Sequence, residues 1–153
     1  NVAENYAIRG RAKAVAGDYE AALADSNHAV ELDAANIYNF LNRADVYRMM
    51  GDREKALADL EKSQEIDAKN PYIYKMRGEI YSEMGEKEAA LAAYKEYWKY
   101  APSARDIPDE YMKDVDAAAY DKIVKEREKK EQEKKEKEAA KKGTPENKMG
   151  EKP

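Results

Sequence analysis

The chain has 153 residues, a formal net charge of −4 and 39% charged residues, with a mean hydropathy of −1.01; it is expected to form one domain, or one domain with an appendage. That balance is very polar for a globule but suits a thin, elongated array with a large surface. No apolar run approaches the ~18 residues that span a membrane, the lack of cysteine excludes disulfides and thiolate chemistry, and the acidic balance argues against nucleic acid, which calls for a basic face.

One stretch occurs three times: Gly17-Asp18-Tyr19-Glu20-Ala21-Ala22-Leu23, Gly51-Asp52-Arg53-Glu54-Lys55-Ala56-Leu57 and Gly85-Glu86-Lys87-Glu88-Ala89-Ala90-Leu91. The glycines lie 34 residues apart both times (51 − 17 = 85 − 51), and a fixed period of that size predicts a repeat architecture. Residues 3–16 hold no proline and are mostly good helix formers. Gly17 stops this helix in the usual left-handed way, and Asp18 caps the next. That second helix carries Tyr19, Ala22, Leu23, Ser26, Ala29, Val30 and Leu32, small or apolar at intervals of three and four. Asp33 to Asn36 closes the unit.

The plan then repeats. Helices are expected over 37–50 and 53–66 around Gly51-Asp52, with Asp67 to Asn70 as the closure. Pro71 begins the next helix, where a missing amide hydrogen costs least, and the partner after Gly85 runs to about Tyr100. After Pro102 the period stops. Asp106 is a candidate cap for a helix carrying Tyr111, Met112, Val115, Ala119 and Ile123 at helical spacing. This segment, 105–124, is expected to cover the open end of the last repeat. Beyond Val124 the stripe vanishes, and 125–142 is almost entirely Lys, Glu, Arg and Gln. Pairs such as Glu126 with Lys130 and Glu131 with Lys135 have the favourable i to i+4 order. One solvated helix from about 108 to about 142 is predicted, on the order of 50 Å long. Gly143 would end it, leaving 143–153 as a polar, flexible tail. Because the first residue is Asn1 rather than Met, the chain is expected to be a fragment or processed product.

These positions resemble the tetratricopeptide repeat, whose pattern is Trp-x2-Leu-Gly-x2-Tyr, later Ala-x3-Phe, then Pro. The first part reads Tyr6-x2-Arg9-Gly10-x2-Lys13, Phe40-x2-Arg43-Ala44-x2-Tyr47 and Tyr74-x2-Arg77-Gly78-x2-Tyr81. The second reads Ala22-x3-Ser26, Ala56-x3-Leu60 and Ala90-x3-Tyr94, and the proline slot holds Ala34, Ala68 and Pro102. Lys13 departs from the tyrosine of its slot. The resemblance spans residues 3–104, as units 3–36, 37–70 and 71–104. It implies an all-α, right-handed superhelical solenoid of three helix-turn-helix repeats, ending in a capping helix that extends into the charged one.

Arg9, Arg43 and Arg77 hold a slot the family usually fills with leucine. Asp25 and Asp59 recur on the second helices, where the third unit has Ala93. Structural pairing of arginine with aspartate is one reading; an arginine ladder for an anionic ligand is the other.

Catalytic and metal sites are expected to be absent, as are cofactors. His28 is the lone histidine and has no nucleophile or cysteine at a recognisable spacing, the single glycines do not form a phosphate loop, and the acids near 106–116 do not match a calcium loop. The resemblance implies instead that the first helices line a concave groove for an extended or helical peptide. Carried over by position, that groove would present Ile8 and Arg11, then Tyr38, Leu41, Asn42, Asp45, Arg48 and Met49, then Tyr72, Lys75, Met76 and Glu79. Ile8, Tyr38, Leu41, Met49, Tyr72 and Met76 would be apolar where solvent is expected, which marks a contact surface. A subclass of the family grips the C-terminal carboxylate of heat-shock chaperones with a Lys and Asn, an Asn, and a Lys and Arg. The matching positions here hold Ala7 and Arg11, Asn42, and Tyr72 and Met76, and only Asn42 agrees. The expected function is thus a protein–protein interaction module, an adaptor or scaffold and not an enzyme, with a protein or peptide partner. The competing readings are self-association through the groove or the charged helix, as a homo-oligomer, and a tail-in-groove contact.

Overall fold

Each unit is a helix that a glycine stops and an aspartate or glutamate restarts. The computed structural model describes residues 2–142. The expected helix stop at Gly143, the tail and the tail-in-groove contact fall outside the described residues. The first six helices are α1 (Val2–Val15), α2 (Tyr19–Leu32), α3 (Ile37–Met49), α4 (Arg53–Ile66), α5 (Pro71–Glu83) and α6 (Lys87–Tyr100). Gly17, Gly51 and Gly85 have φ of 86°, 82° and 76°, a region that only glycine enters without strain. The surrounding bonds make the same double closure each time. Gly17 donates to Ala14 O and Asp18 to Lys13 O, both at 3.0 Å, and this satisfies carbonyls that the helix end would otherwise leave free. Asp18 and Asp52 then accept from the amides of Ala21 and Lys55, both at 3.2 Å. At the unit boundaries Asn36 and Asn70 cap α3 and α5 by accepting from Tyr38 and Tyr72.

Helices α1–α2, α3–α4 and α5–α6 pair as hairpins, and each later hairpin lays its first helix on the unit before it: α3 on α1 and α2, α5 on α3 and α4. The result is the all-α solenoid. The small slot inside each hairpin is tight. A Cβ at Gly78 would lie 2.5 Å from the Tyr94 ring, and one at Gly10 would lie 2.6 Å from Ser26 Oγ and 2.9 Å from the Ala22 carbonyl oxygen. The partners differ in bulk (Ser26, Leu60, Tyr94), but all are buried. One core then runs from Ile37 and Leu41 through Leu60, Ile73 and Ile80 to Tyr94 and Tyr97. Burial at this scale stabilises by about 25 cal/mol per Å² of apolar surface.

The arginine–aspartate reading holds for two units. Arg9 donates to Asp25 at 2.6 and 2.7 Å, and Arg43 donates to Asp59 at 2.8 and 2.7 Å, each as a two-pronged fork across its hairpin. Arg9, assisted by Lys13, holds the Asp25 carboxyl well below the usual carboxylate range against the opposing effect of burial. Arg77 has no such partner, because Ala93 stands in the aspartate slot. Among the described residues it makes no ion pair and only approaches the Tyr74 ring, at 6.0 Å.

The end of the chain differs from the single helix expected over 108–142. It forms α7 (Asp109–Val115) and α8 (Ala117–Lys142). Asp116 breaks the helix: its backbone is extended (φ −157°, ψ 99°), and its Oδ1 accepts from the Ala119 amide at 2.9 Å. The break lets α8 fold back on α7, which packs on α6. Ile107, Tyr111, Met112 and Ile123 are all buried, and Arg127 clasps Asp109 at 2.8 Å to fix α8 against α7. The cap is therefore α7 with the first turns of α8, and the charged run continues the same helix outward. Of the expected surface pairs, Glu131–Lys135 closes at 2.8 Å. Asp106 is not a helix cap. Pro108 occupies that position without a side-chain bond.

Two outcomes follow from this packing. Ala93 is as buried (8%) as Asp25 (6%) and Asp59 (5%), so Ala93→Asp gives Arg77 the fork that the other units have. It should raise stability by about 1 kcal/mol in urea unfolding at neutral pH, with no gain when Arg77 is also replaced by Ala. Gly78→Ala forces the Tyr94 ring aside and should cost about 1–3 kcal/mol in the same measurement.

Candidate functional site

The candidate site is built from first helices alone. A cavity of about 480 Å³ is lined by Arg11 of α1, by Tyr38, Leu41, Asn42, Asp45 and Arg48 of α3, and by Tyr72, Lys75, Met76 and Glu79 of α5. The spacing explains this. Residues 38, 41, 42, 45 and 48 fall on one face of α3, since positions three and four apart are neighbours on a helix. The 34-residue period puts Tyr72, Lys75, Met76 and Glu79 on the matching face of α5.

Ile8 and Met49, expected in the groove, lie off it. Ile8 is exposed on α1 without lining the cavity, and Met49 packs between units against Ala14, Ala22 and Val46. Leu41, expected to see solvent, is only 7% exposed and belongs to the main core; it forms the cavity floor. The two residues that rise from that floor are Tyr38 and Tyr72. They are equivalent in the repeat and equally exposed, 54% each.

The charged groups around the floor are engaged with one another. Asp45 accepts from Arg11 Nε at 2.8 Å and from Arg48 Nη2 at 2.8 Å, so one buried carboxylate ties unit 1 to unit 2. Arg48 extends to Glu83 of α5 at 2.7 Å, linking unit 2 to unit 3. Lys75 Nζ reaches Asp106 at 2.6 Å, and Asp106 Oδ1 also accepts from Tyr97 Oη at 2.8 Å. Burial opposes the charge on both Lys75 and Asp106, but their pairing outweighs it, raising the lysine pKa and lowering that of the aspartate. Glu79 sits more loosely, 4.0 Å from Arg48 and 3.9 Å from Lys75, and burial raises its pKa. Asn42 turns its amide back to the Tyr38 carbonyl at 2.8 Å. Asp106 was not identifiable from the sequence as the partner of the groove's Lys75, because it lies beyond the last full period.

A second cavity, about 510 Å³, opens between α4, α5 and α6 beside Arg77, Tyr81, Ala89, Ala92 and Ala93. Three alanines stand in its wall beside Leu57, Tyr74 and Tyr81, and it lies where the missing aspartate would stand. No group of three or more metal-ligating side chains occurs among the described residues. No helix among them is long and apolar enough to cross a membrane.

The tetratricopeptide-repeat family model matches residues 38–70 and 72–103, the second and third hairpins described above. Across these two hairpins the chain is similar to the tetratricopeptide-repeat family. No curated protein matches the sequence. Among solved structures, the Sgt2 TPR domain from Aspergillus fumigatus is 21% identical over 99% of this chain and 90% of its own, with a TM-score of 0.62. The first TPR of Spaghetti (RPAP3), bound to an HSP90 peptide, is 20% identical over 76% and 92%, with a TM-score of 0.65. The translocator chaperone SycD of Yersinia enterocolitica is 19% identical over 83% and 95%, with a TM-score of 0.63. At these identities the likeness is one of fold.

The shared carboxylate of Asp45 gives a stability test. Asp45→Ala leaves two guanidinium groups without their common acceptor and should cost about 2 kcal/mol in urea unfolding. Arg11→Ala should cost well under half of that, since Arg11 is largely exposed.

Proposed function

We propose that the groove of α1, α3 and α5 binds a peptide segment of a partner protein, and that Tyr38 and Tyr72 are its principal anchors. The observation that carries this reading is the aromatic pair, repeated at the 34-residue interval and more than half exposed over a floor of Leu41 and Met76. Two tyrosines offer large, rigid contact area at a low cost in conformational entropy, which is why such residues dominate binding energies. The peptide would lie along the line from Tyr38 to Tyr72 with apolar side chains spaced to meet them.

The paired charges favour an apolar or aromatic peptide over an acidic one. Arg11, Arg48 and Lys75 each hold a carboxylate of this chain, so an incoming anion would have to displace Asp45, Glu83 or Asp106. The HSP90 peptide bound by the RPAP3 domain has the sequence SRMEEVD, which is rich in acids. The groove here does not repeat the residues that the chaperone-binding subclass uses, and its one agreeing residue, Asn42, is turned to its own backbone. Partners of that acidic type are therefore not the ones proposed.

The test pans a random displayed-peptide library against the chain and measures the selected peptides in solution by fluorescence polarisation. Tyr38→Ala/Tyr72→Ala should weaken their binding at least about 30-fold, roughly 2 kcal/mol, while leaving the unfolding midpoint unchanged. Selected peptides should be rich in apolar and aromatic residues. Peptides that bind the double variant equally well, or a selection dominated by acidic sequences, would refute the reading.

A further inference from the structure

The 34-residue period aligns Glu79 with Asp45 (45 + 34 = 79), and both line the groove. The two acids are served differently. Asp45 accepts from Arg11 Nε and from Arg48 Nη2, both at 2.8 Å. One period later the slots of Arg11 and Arg48 hold Asp45 itself and Ser82, so neither cation is repeated for Glu79. Among the described residues Glu79 takes no hydrogen bond, and its ion pairs, with Arg48 and Lys75, are long, at 4.0 and 3.9 Å. Both cations are committed elsewhere: Arg48 to Asp45 and Glu83 at 2.8 and 2.7 Å, and Lys75 to Asp106 at 2.6 Å. Burial holds the Glu79 pKa above its ordinary value in spite of these two neighbours. The side chain is nevertheless open to a ligand, 32% exposed.

Its place on α5 decides which donor can reach it. Tyr72, Met76 and Glu79 follow at steps of four and three, one face of the helix. From Tyr72 to Glu79 is seven residues, roughly 10 Å along the axis. A peptide anchored at Tyr72 therefore meets Glu79 only through a long side chain. Lysine and arginine have that length, and their apolar stems lie along apolar surface while the charged head reaches a polar partner. Met76, between the two on the groove lining, supplies the surface. A shorter donor falls short, and an acid would meet a like charge.

We propose, on the groove reading above, that Glu79 receives a lysine or arginine side chain of the bound peptide, with its stem across Met76. The ligand's cation then does for Glu79 what Arg11 of the neighbouring unit does for Asp45. The peptide is thereby specified further, as apolar or aromatic with one basic residue beside the anchor that meets Tyr72.

The test pans the same random displayed-peptide library on the full chain and, separately, on Glu79→Gln. Peptides from the parent should carry a lysine or arginine at one fixed distance from an apolar or aromatic anchor. Those from the variant should keep the anchors and lose the basic residue. A parent-selected peptide is then remade with norleucine, an uncharged stem, in place of its basic residue. In fluorescence polarisation the parent should bind it about tenfold more weakly, while Glu79→Gln should bind both peptides within about twofold of each other. A merely structural role for Glu79 would weaken both peptides alike and leave no such coupling. Selected peptides with apolar anchors and no recurring basic residue would overturn the assignment of Glu79 and leave the tyrosine anchors standing. So would a basic residue whose replacement costs as much on Glu79→Gln as on the parent. A library that returns no binder, or peptides that bind Tyr38→Ala/Tyr72→Ala as well as the parent, would overturn both.

Discussion

The structure depends on how closely two helix backbones can approach at one slot per unit. Gly10, Ala44 and Gly78 keep that slot small, and the second helix lies against it. At Gly78 the space belongs to the Tyr94 ring and at Gly10 to Ser26 and a carbonyl. Once each hairpin is closed at this distance, its sides present fixed faces to the neighbouring units. The 34-residue period then makes those faces equivalent, and stacking follows. A larger side chain at the slot would change the separation of the helices, and with it the angle at which the next unit docks.

Charge is arranged around this packing rather than in place of it. Arg9 and Arg43 sit beside the slot and are held by Asp25 and Asp59 across the hairpin. Such pairs are specific in geometry because a planar guanidinium matches a carboxylate at two points. In the third unit the aspartate is missing, and Arg77 borders an open space whose wall includes Ala93 in the aspartate's place. Between units, Asp45 and Arg48 form a chain of ion pairs from α1 to α5. That chain occupies the arginines of the groove, so the features left facing solvent are aromatic: Tyr38 and Tyr72. The selectivity proposed for the groove is a consequence of this internal neutralisation.

The end of the array beyond α6 is closed by the chain itself. A break at Asp116 turns α8 back on α7, α7 packs on α6, and Asp106 in the connecting loop is held by Lys75 and Tyr97.

The sequence by itself determined the helices, the turns and the register. Glycines at a fixed interval, acids after them and an asparagine before each new unit are local signals, because capping and left-handed turns act within a few residues. The Arg9–Asp25 and Arg43–Asp59 forks were legible for the same reason, since the period aligns both partners. Most of the groove was legible too, as one face of α3 and one of α5. Tertiary structure alone decided the rest. Leu41 fell into the core and Met49 between units because inter-helix angles, which no short-range pattern encodes, set which edge of a helical face is covered. Asp106 reached Lys75 from beyond the repeats, where the period offers no alignment. The helix break at Asp116 arose because burying Tyr111, Met112 and Ile123 against the same end stabilises more than continuing one straight, solvated helix.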